Sequence, residues 1–223
     1  MKLVIFDVDC TLVDSQALIV GAMQDGFAAI DRAAPAREEI LSIVGLSLPV
    51  AVPELAPNLS ADETRTVVEA YKAAFSRRRS VVGGEASVPL YSGVRDILRG
   101  LNAAPDTLLG VATGKSRRGL NEVLSAHRLE QTFVTLQTAD HHPSKPHPAM
   151  LLAALAETGL DPAAAVMIGD TSFDMDMGRA AGLRTIAVTW GYHPFARLEA
   201  AGADQIATSR PHLSDLLKAE GFL

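Results

Sequence analysis

The chain has one cysteine, one tryptophan, three tyrosines, no long apolar run and no excess of positive charge. Each shortage removes a class of protein. Cys10 has no partner for an internal disulfide, which fits a reducing cytoplasm. No stretch approaches the ~20 consecutive apolar residues that span a bilayer. Lys2 is followed by only four apolar residues before Asp7, too few for a secretion signal. The net charge of −6 argues against nucleic acid as the main partner. No G-x-G-x-x-G follows the first apolar run, so the usual dinucleotide signal is missing. Gly110-Val-Ala-Thr-Gly114 places three residues between glycines where a P-loop needs four, and its spacer continues a strand. No internal repeat or low-complexity segment stands out. The expectation is a soluble, cytoplasmic, globular chain, whose 223 residues can bury roughly 70% of their unfolded surface without a covalent staple.

What is present is an alternation of strands and helices. Leu3–Phe6 is apolar and β-branched, the pattern of a strand buried on both faces. Asp14 or Ser15 can cap a helix running to about Ile30. Short helices are expected over 37–44 and 46–55, separated by Gly45 and the breakers Pro49 and Pro53. Ser60-Ala-Asp-Glu63 is a capping box opening a long helix to about Arg79, and Gly83-Gly84 ends this all-helical block. From Pro89 onward, strands are expected near 107–112, 133–136, 165–168, 185–189 and 205–207. Helices fall between them, one of them carrying Pro148 at its first position and Gly159 as its C-terminal cap. Such alternation implies right-handed crossovers and a parallel sheet covered by helices on both faces. The fold class is therefore α/β, a Rossmann-like parallel sheet, with residues 1–14 and 86–223 as the core domain and 15–85 as an inserted all-helical domain.

Four polar clusters fall at strand ends or in adjoining loops: Asp7-Val-Asp9-Cys10-Thr11, Thr113-Gly114-Lys115, Lys145-Pro146, and Gly169-Asp170 with Asp174. Parallel strands bring their carboxyl ends to one edge, where ligands bind in open α/β sheets. Side chains alternate along an extended chain, so Asp7 and Asp9 point the same way. Like charges so placed repel, unless a cation or a division of roles uses them. Three carboxylates, Asp7, Asp9 and Asp170, suit a hard cation such as Mg²⁺. The Thr113 hydroxyl, N–H groups near Gly114 and the Lys145 ammonium suit phosphate oxygens. Together these indicate phosphoryl transfer, with a carboxylate nucleophile open as one route.

In this order the four clusters resemble the haloacid dehalogenase-like hydrolase superfamily, and the inserted helical block is similar to the helical cap of some members. The Thr113-Gly-Lys form and Thr189-Trp-Gly-Tyr192 resemble phosphoglycolate phosphatase-like members. The resemblance implies a phosphoric monoester hydrolase for which 2-phosphoglycolate is the leading substrate. It implies that Asp7 attacks phosphorus to form an aspartyl-phosphate, and that Asp9 protonates the leaving alcohol and later deprotonates water. It further implies that Thr11, Thr113, Gly114 and Lys145 bind substrate. Mg²⁺ would be held by Asp7, the main-chain carbonyl of Asp9, and Asp170, with Asp174 in support. The partner would be a small phosphorylated metabolite, not nucleic acid or membrane, and the protein a monomer or homodimer.

Rival readings are a phosphomutase of the same superfamily and a phosphorylatable receiver-like module. Mutase relatives carry a histidine shortly after the first motif, and residues 16–21 contain none. Receivers are about half as long and bear the accepting Asp on an internal strand. The second carboxylate, Asp9, argues against dehalogenation. Lys72, late in its helix, is the inserted block's one lysine, which opposes phosphonate cleavage by a Schiff base. Cys10 stands where relatives often have glycine, so the backbone there must tolerate a Cβ. His141, His142 and His147 are read as a solvated loop rather than a metal site, and Arg77-Arg78-Arg79 as a solvated helix end. A substrate carboxylate on one of these arginines, or on Arg37, is the functional alternative. Trp190 and Tyr192 either line the entrance or pack.

Overall fold

The computed structural model describes all 223 residues, apart from the side chain of Val82. Six strands form one parallel sheet: β1 (Lys2–Phe6), β2 (Thr107–Thr113), β3 (Thr135–Thr138), β4 (Ala165–Gly169), β5 (Arg184–Val188) and β6 (Gln205–Ala207), in the order β3-β2-β1-β4-β5-β6. The first strand is thus central, flanked by β2 and β4, with Phe6 level with both Val111 and Ile168. Chain order reverses at β1, which is where a doubly wound sheet opens its crevice.

Strand pleating divides the core. Val4 and Phe6 join Leu109, Val111, Val166 and Ile168 on one face, beneath α5 (Val94–Ala103), α6 (Arg117–His127) and α10 (Arg210–Ala219). Leu3 and Ile5 turn to the other face with Met167, against α7 (Ala149–Thr158) and α8 (Ser172–Ala180). This explains the unbroken apolar run of β1: both of its faces are covered. A last helix, α9 (Phe195–Ala200), leads into β6.

Between β1 and α5 the chain builds four α-helices, α1 (Gln16–Ala28), α2 (Arg37–Ser42), α3 (Leu48–Leu55) and α4 (Ala61–Val82). Their apolar residues, among them Met23, Phe27, Ile40, Val52 and Val67, form a separate core. The Ser60 hydroxyl and the Glu63 carboxylate close the expected capping box on α4. The outgoing and returning connections lie side by side: Asp14 N–H donates to the Pro89 carbonyl at 2.8 Å and Tyr91 N–H to the Leu12 carbonyl at 3.0 Å. The helical block also touches the sheet domain elsewhere. Ser47 N–H donates to Ser144 Oγ at 2.8 Å, and Arg79 pairs with Glu122 at 2.6 Å. A Cβ on Gly114 would stand 2.6 Å from the Gly45 carbonyl oxygen, so only glycine lets the backbones approach this closely.

Two expectations are corrected. The third strand spans 135–138 rather than 133–136, because Phe133 turns into the core and pairing with β2 begins at Gly110–Thr135. Pro148 takes the N-cap position of α7, one residue before the first helical one. Among the described residues, no helix is long and apolar enough to cross a membrane.

Candidate active site

The site grows from the ends of β1, β2 and β4. Asp7 directly follows β1, its N–H donating to the Ile168 carbonyl of β4 at 2.9 Å. Asp170 directly follows β4, and Asp174 lies in the first turn of α8. Ligand atoms of Asp7, Asp170 and Asp174 all lie within 4.8 Å of one another, and all three residues are buried. Lys145 reaches them from the loop before α7. Its Nζ donates to Asp7 Oδ1 at 2.7 Å and to Asp174 Oδ1 at 2.6 Å, with no exposed side-chain surface.

The other oxygens are also engaged. Thr11 Oγ1 donates to Asp170 Oδ1 at 2.8 Å, and Tyr192 N–H donates to Asp170 Oδ2 at 2.8 Å. Thr171 donates to Asp174 Oδ2 through its N–H at 3.0 Å and its hydroxyl at 2.7 Å. Asp174 is thus the N-terminal cap partner of α8 and the anchor of Lys145 at once. A Cβ on Gly191 would collide with the Asp170 carboxylate, so the loop can wrap that acid only as glycine.

Burial governs the charges. It raises the Asp7 pKa to about 7; Lys145 opposes the rise, while Asp174 and Asp9 reinforce it. Burial, followed by the charges of Asp7 and Asp174, also holds Asp170 well above the usual carboxylate range. For Lys145 burial alone would lower the pKa, but Asp174 and Asp7 outweigh it and the ammonium is kept protonated. One ammonium facing three buried carboxylates leaves an excess of negative charge, and an all-oxygen donor set of this kind fits a divalent cation.

Asp7 and Asp170 have folded-state pKa values above the ~3.9 of an unfolded Asp. The folded state therefore holds protons that the unfolded chain has released, so this contribution is full below about pH 4 and is lost as pH rises toward 7. A cation bound there would replace those protons. The melting temperature in Mg²⁺ minus that in chelator should therefore grow between pH 5 and 7.5, and shrink in Asp170→Asn. A difference of zero at pH 7.5 in the wild type would rule out metal binding to this cluster. Saturation at a hundredfold over Kd corresponds to about 2.7 kcal/mol.

Asp9 is separate from the cluster. Its carboxylate accepts from Ser15 Oγ at 2.6 Å and from Lys115 Nζ at 2.8 and 2.9 Å. Lys115 Nζ in turn sits 4.8 Å from the centre of the Phe75 ring on α4. Asp7 and Asp9 both line a cavity of about 300 Å³ between the sheet edge and the helical block, together with Thr113, Gly114 and Lys115. Thr113 ends β2, and its Oγ1 accepts from Lys115 N–H at 3.3 Å.

Of the residues expected to touch substrate, Thr113 and Gly114 line the cavity. Thr11 and Lys145 are not among the described lining residues: the Thr11 hydroxyl is given to Asp170, and the Lys145 ammonium to Asp7 and Asp174. Ser15 occupies the N-cap of α1 but makes no side-chain cap there, since its hydroxyl serves Asp9. Cys10 has φ of 57°, the left-handed region where glycine is the usual choice. It is fully buried, and burial pushes its thiol up to about 12, which opposes formation of a reactive thiolate. Trp190 and Tyr192 pack, and Trp190 Nε1 donates to the Thr11 carbonyl at 3.2 Å. His142 and His147 are tied locally, to Gln137 Oε1 and Ala149 N–H.

Sequence reasoning missed His193. Its Nδ1 accepts from Ser172 N–H at 2.8 Å and its Nε2 meets the Ser42 carbonyl of α2 at 3.1 Å. Burial holds this ring below the usual histidine range, which matches a neutral ring accepting at one nitrogen and donating at the other. A lone histidine after an aromatic pair carries no sequence signal for such a bridge.

A cluster of acids with one buried lysine, set at the switch point of a doubly wound sheet and roofed by inserted helices, defines a class of phosphoryl-transfer hydrolases. Residues 4–188 match the pattern of the haloacid dehalogenase-like hydrolases, and the chain belongs to that family. It is 37% identical over 202 residues to a Dickeya dadantii protein named "Probable phosphatase IndB", covering 89% of this chain and 86% of that one. It is 32% identical over 191 residues to the pyrophosphatase PpaX of Bacillus pumilus, covering 84% and 82%. A haloacid dehalogenase-like hydrolase from Streptococcus pneumoniae superposes with a TM-score of 0.84 at 25% identity, over 97% of this chain and 98% of its own.

Proposed function

We propose that the protein is a Mg²⁺-dependent phosphatase that hydrolyses a small phosphate monoester through an aspartyl-phosphate on Asp7. The observation that carries this reading is the position of Asp7. It belongs to the buried carboxylate cluster and also lines the cavity, whereas Asp170 and Asp174 are absent from the described lining. One carboxylate therefore faces both a cation site and a substrate. We assign residues 1–14 and 86–223 to the catalytic unit and 15–85 to a cap, with Ser15 and Gly83-Gly84 as its hinges.

Mg²⁺, held by Asp7, Asp170 and the Asp9 carbonyl, would supply charge neutralisation at the phosphoryl oxygens. The chain's own residues do the rest. Asp7 forms a bond to phosphorus as the bond to the ester oxygen breaks, and Asp9 gives that oxygen its proton. A water then attacks the aspartyl-phosphate, Asp9 takes the water's proton, and inorganic phosphate leaves with Asp7 restored. Thr113 and the Gly114 N–H hold phosphoryl oxygens, and Lys145 fixes the Asp7 carboxylate while balancing its charge. Asp174 positions Lys145. Thr11 positions Asp170, a role that replaces substrate contact. Ser15 and Lys115 orient Asp9.

The division of roles between the two acids has a direct test. In Asp9→Asn, turnover of an alkyl phosphate should fall by about 10²–10⁴-fold, the usual worth of proton transfer. Turnover of 4-nitrophenyl phosphate, whose leaving group needs no proton, should fall far less in its first half-reaction, measured as the nitrophenol burst. Equal losses on both esters would remove Asp9 from the acid role.

The organic part of the substrate is read by the cap. Family resemblance suggests 2-phosphoglycolate. The relatives, one named as a phosphatase and one as a pyrophosphatase, do not agree on a substrate.

A further inference from the structure

We propose that the ester taken by this site carries an uncharged organic body with an apolar face, and not the carboxylate of a short hydroxy acid. The inference rests on the phosphatase reading and concerns what the cap recognises.

The cavity has two unlike halves. Its floor is polar, built from Asp7, Asp9, Thr113 and Gly114, and is the place for the phosphoryl group. Its roof comes from the helical block and is apolar: Ile19 and Met23 of α1, Leu48 of α3, and Tyr71 and Phe75 of α4. The two rings of that set pack on each other, with centroids 5.9 Å apart and planes at 26°. The volume of about 300 Å³ lies at the lower end of small-molecule pockets, roomier than a phosphorylated two-carbon acid requires.

A substrate carboxylate placed under this roof would need a cation, because an ionised group cannot be buried unpaired. All but one of the cations of the region are committed elsewhere. Arg77 and Arg78 both bind Asp25, at 3.0 and 2.9 Å. Arg79 binds Glu122, Arg37 donates to Gln16, and Lys115 is held on Asp9. Arg118 reaches the rim with its side chain 81% exposed and is paired with Glu122. The lining instead brings Asp140, an acid with no ion pair among the described residues, which would repel a carboxylate tail; Glu122, also in the lining, is neutralised by Arg79 and Arg118. Lys72 is the one lining cation with no ion pair among the described residues, and it is exposed to solvent, which screens its charge. Apolar surface, by contrast, gains about 25 cal/mol for each Å² removed from water.

Three alkyl esters separate the alternatives: ethyl phosphate, 2-phenylethyl phosphate and 2-phosphoglycolate. All leave as primary alkoxides, so differences in nucleofugality between the first two are small. Wild-type kcat/KM with Mg²⁺ should favour 2-phenylethyl over ethyl phosphate by at least about tenfold. In Asp7→Asn, calorimetric Kd values with Mg²⁺ should show the same order, with 2-phosphoglycolate binding no more tightly than ethyl phosphate. Phe75→Ala should reduce the phenylethyl-to-ethyl ratio to below about threefold.

The inference is overturned if both ratios lie near one, or if 2-phosphoglycolate is preferred over both esters and Lys72→Ala removes that preference. Failure of the phosphatase reading looks different. The wild type would then release phosphate from none of the three, while Asp7→Asn still bound the phenylethyl ester preferentially and so upheld the substrate class.

Discussion

Asp7→Asn should abolish phosphate release, with kcat falling on the order of 10⁴–10⁶-fold as when an enzyme loses its nucleophile. The fold should survive the change. The carboxamide is nearly isosteric, and Lys145 keeps its 2.6 Å bond to Asp174, so no buried ammonium is stranded. The substitution also removes a carboxyl that burial has pushed to a pKa of about 7. In chelator at neutral pH the variant should therefore melt no lower than the wild type. In Mg²⁺ it should gain less than the wild type, having lost a ligand. Phosphate release and thermal melts check both halves. Wild-type turnover in this variant would remove Asp7 from the role of nucleophile.

Lys145→Met should be the most destabilising single change at the site. Lys145, Asp7 and Asp174 have 0–2% of their side-chain surface exposed, so solvent does not screen the charges left behind. Removing one partner of a buried ion pair costs about 3–5 kcal/mol, because the remaining charge stays buried. Here two carboxylates lose their counter-charge together, and Asp170 is close by. Protonation can relieve that loss, so the deficit measured by denaturant melts at pH 7.5 should shrink at pH 5. Mg²⁺ should recover part of it at either pH. Turnover should stay lost even where the variant is fully folded. Wild-type stability at pH 7.5 in chelator would show that the ammonium does not hold the cluster together.

The central apolar strand, the helix-strand alternation and the four polar clusters are all visible in the sequence, because each rests on local pattern: a buried run, a cap, a turn, an acid at a strand end. What the sequence hides depends on partners far along the chain. The third strand is an example. Its paired residues are Thr135–Thr138, held by a polar network in which Gln137 donates to Thr135 and Thr135 to Glu157, so apolar patterning points two residues too early. Ser15 reads as a helix cap until Asp9 is seen 2.6 Å away. Thr11 reads as a phosphate contact until its hydroxyl is found on Asp170. Arg77 and Arg78 look free to bind a substrate anion, and only folding shows that Asp25 claims both. At Cys10 folding reveals a φ of 57°, an angle that favours glycine and that no local pattern marks, and nothing in the structure explains why cysteine stands there.

A covalent route requires the phosphoryl group to pass through Asp7 before it meets water. Each displacement at phosphorus inverts its configuration, so two in series restore it. Hydrolysis of a chiral, oxygen-isotope-labelled phosphorothioate ester in water of a third oxygen isotope, which yields chiral inorganic thiophosphate, reads this directly. Transfer through the Asp7 carboxylate predicts overall retention at phosphorus. Net inversion would show that water attacks the ester in one step, and that Asp7 serves the cation alone.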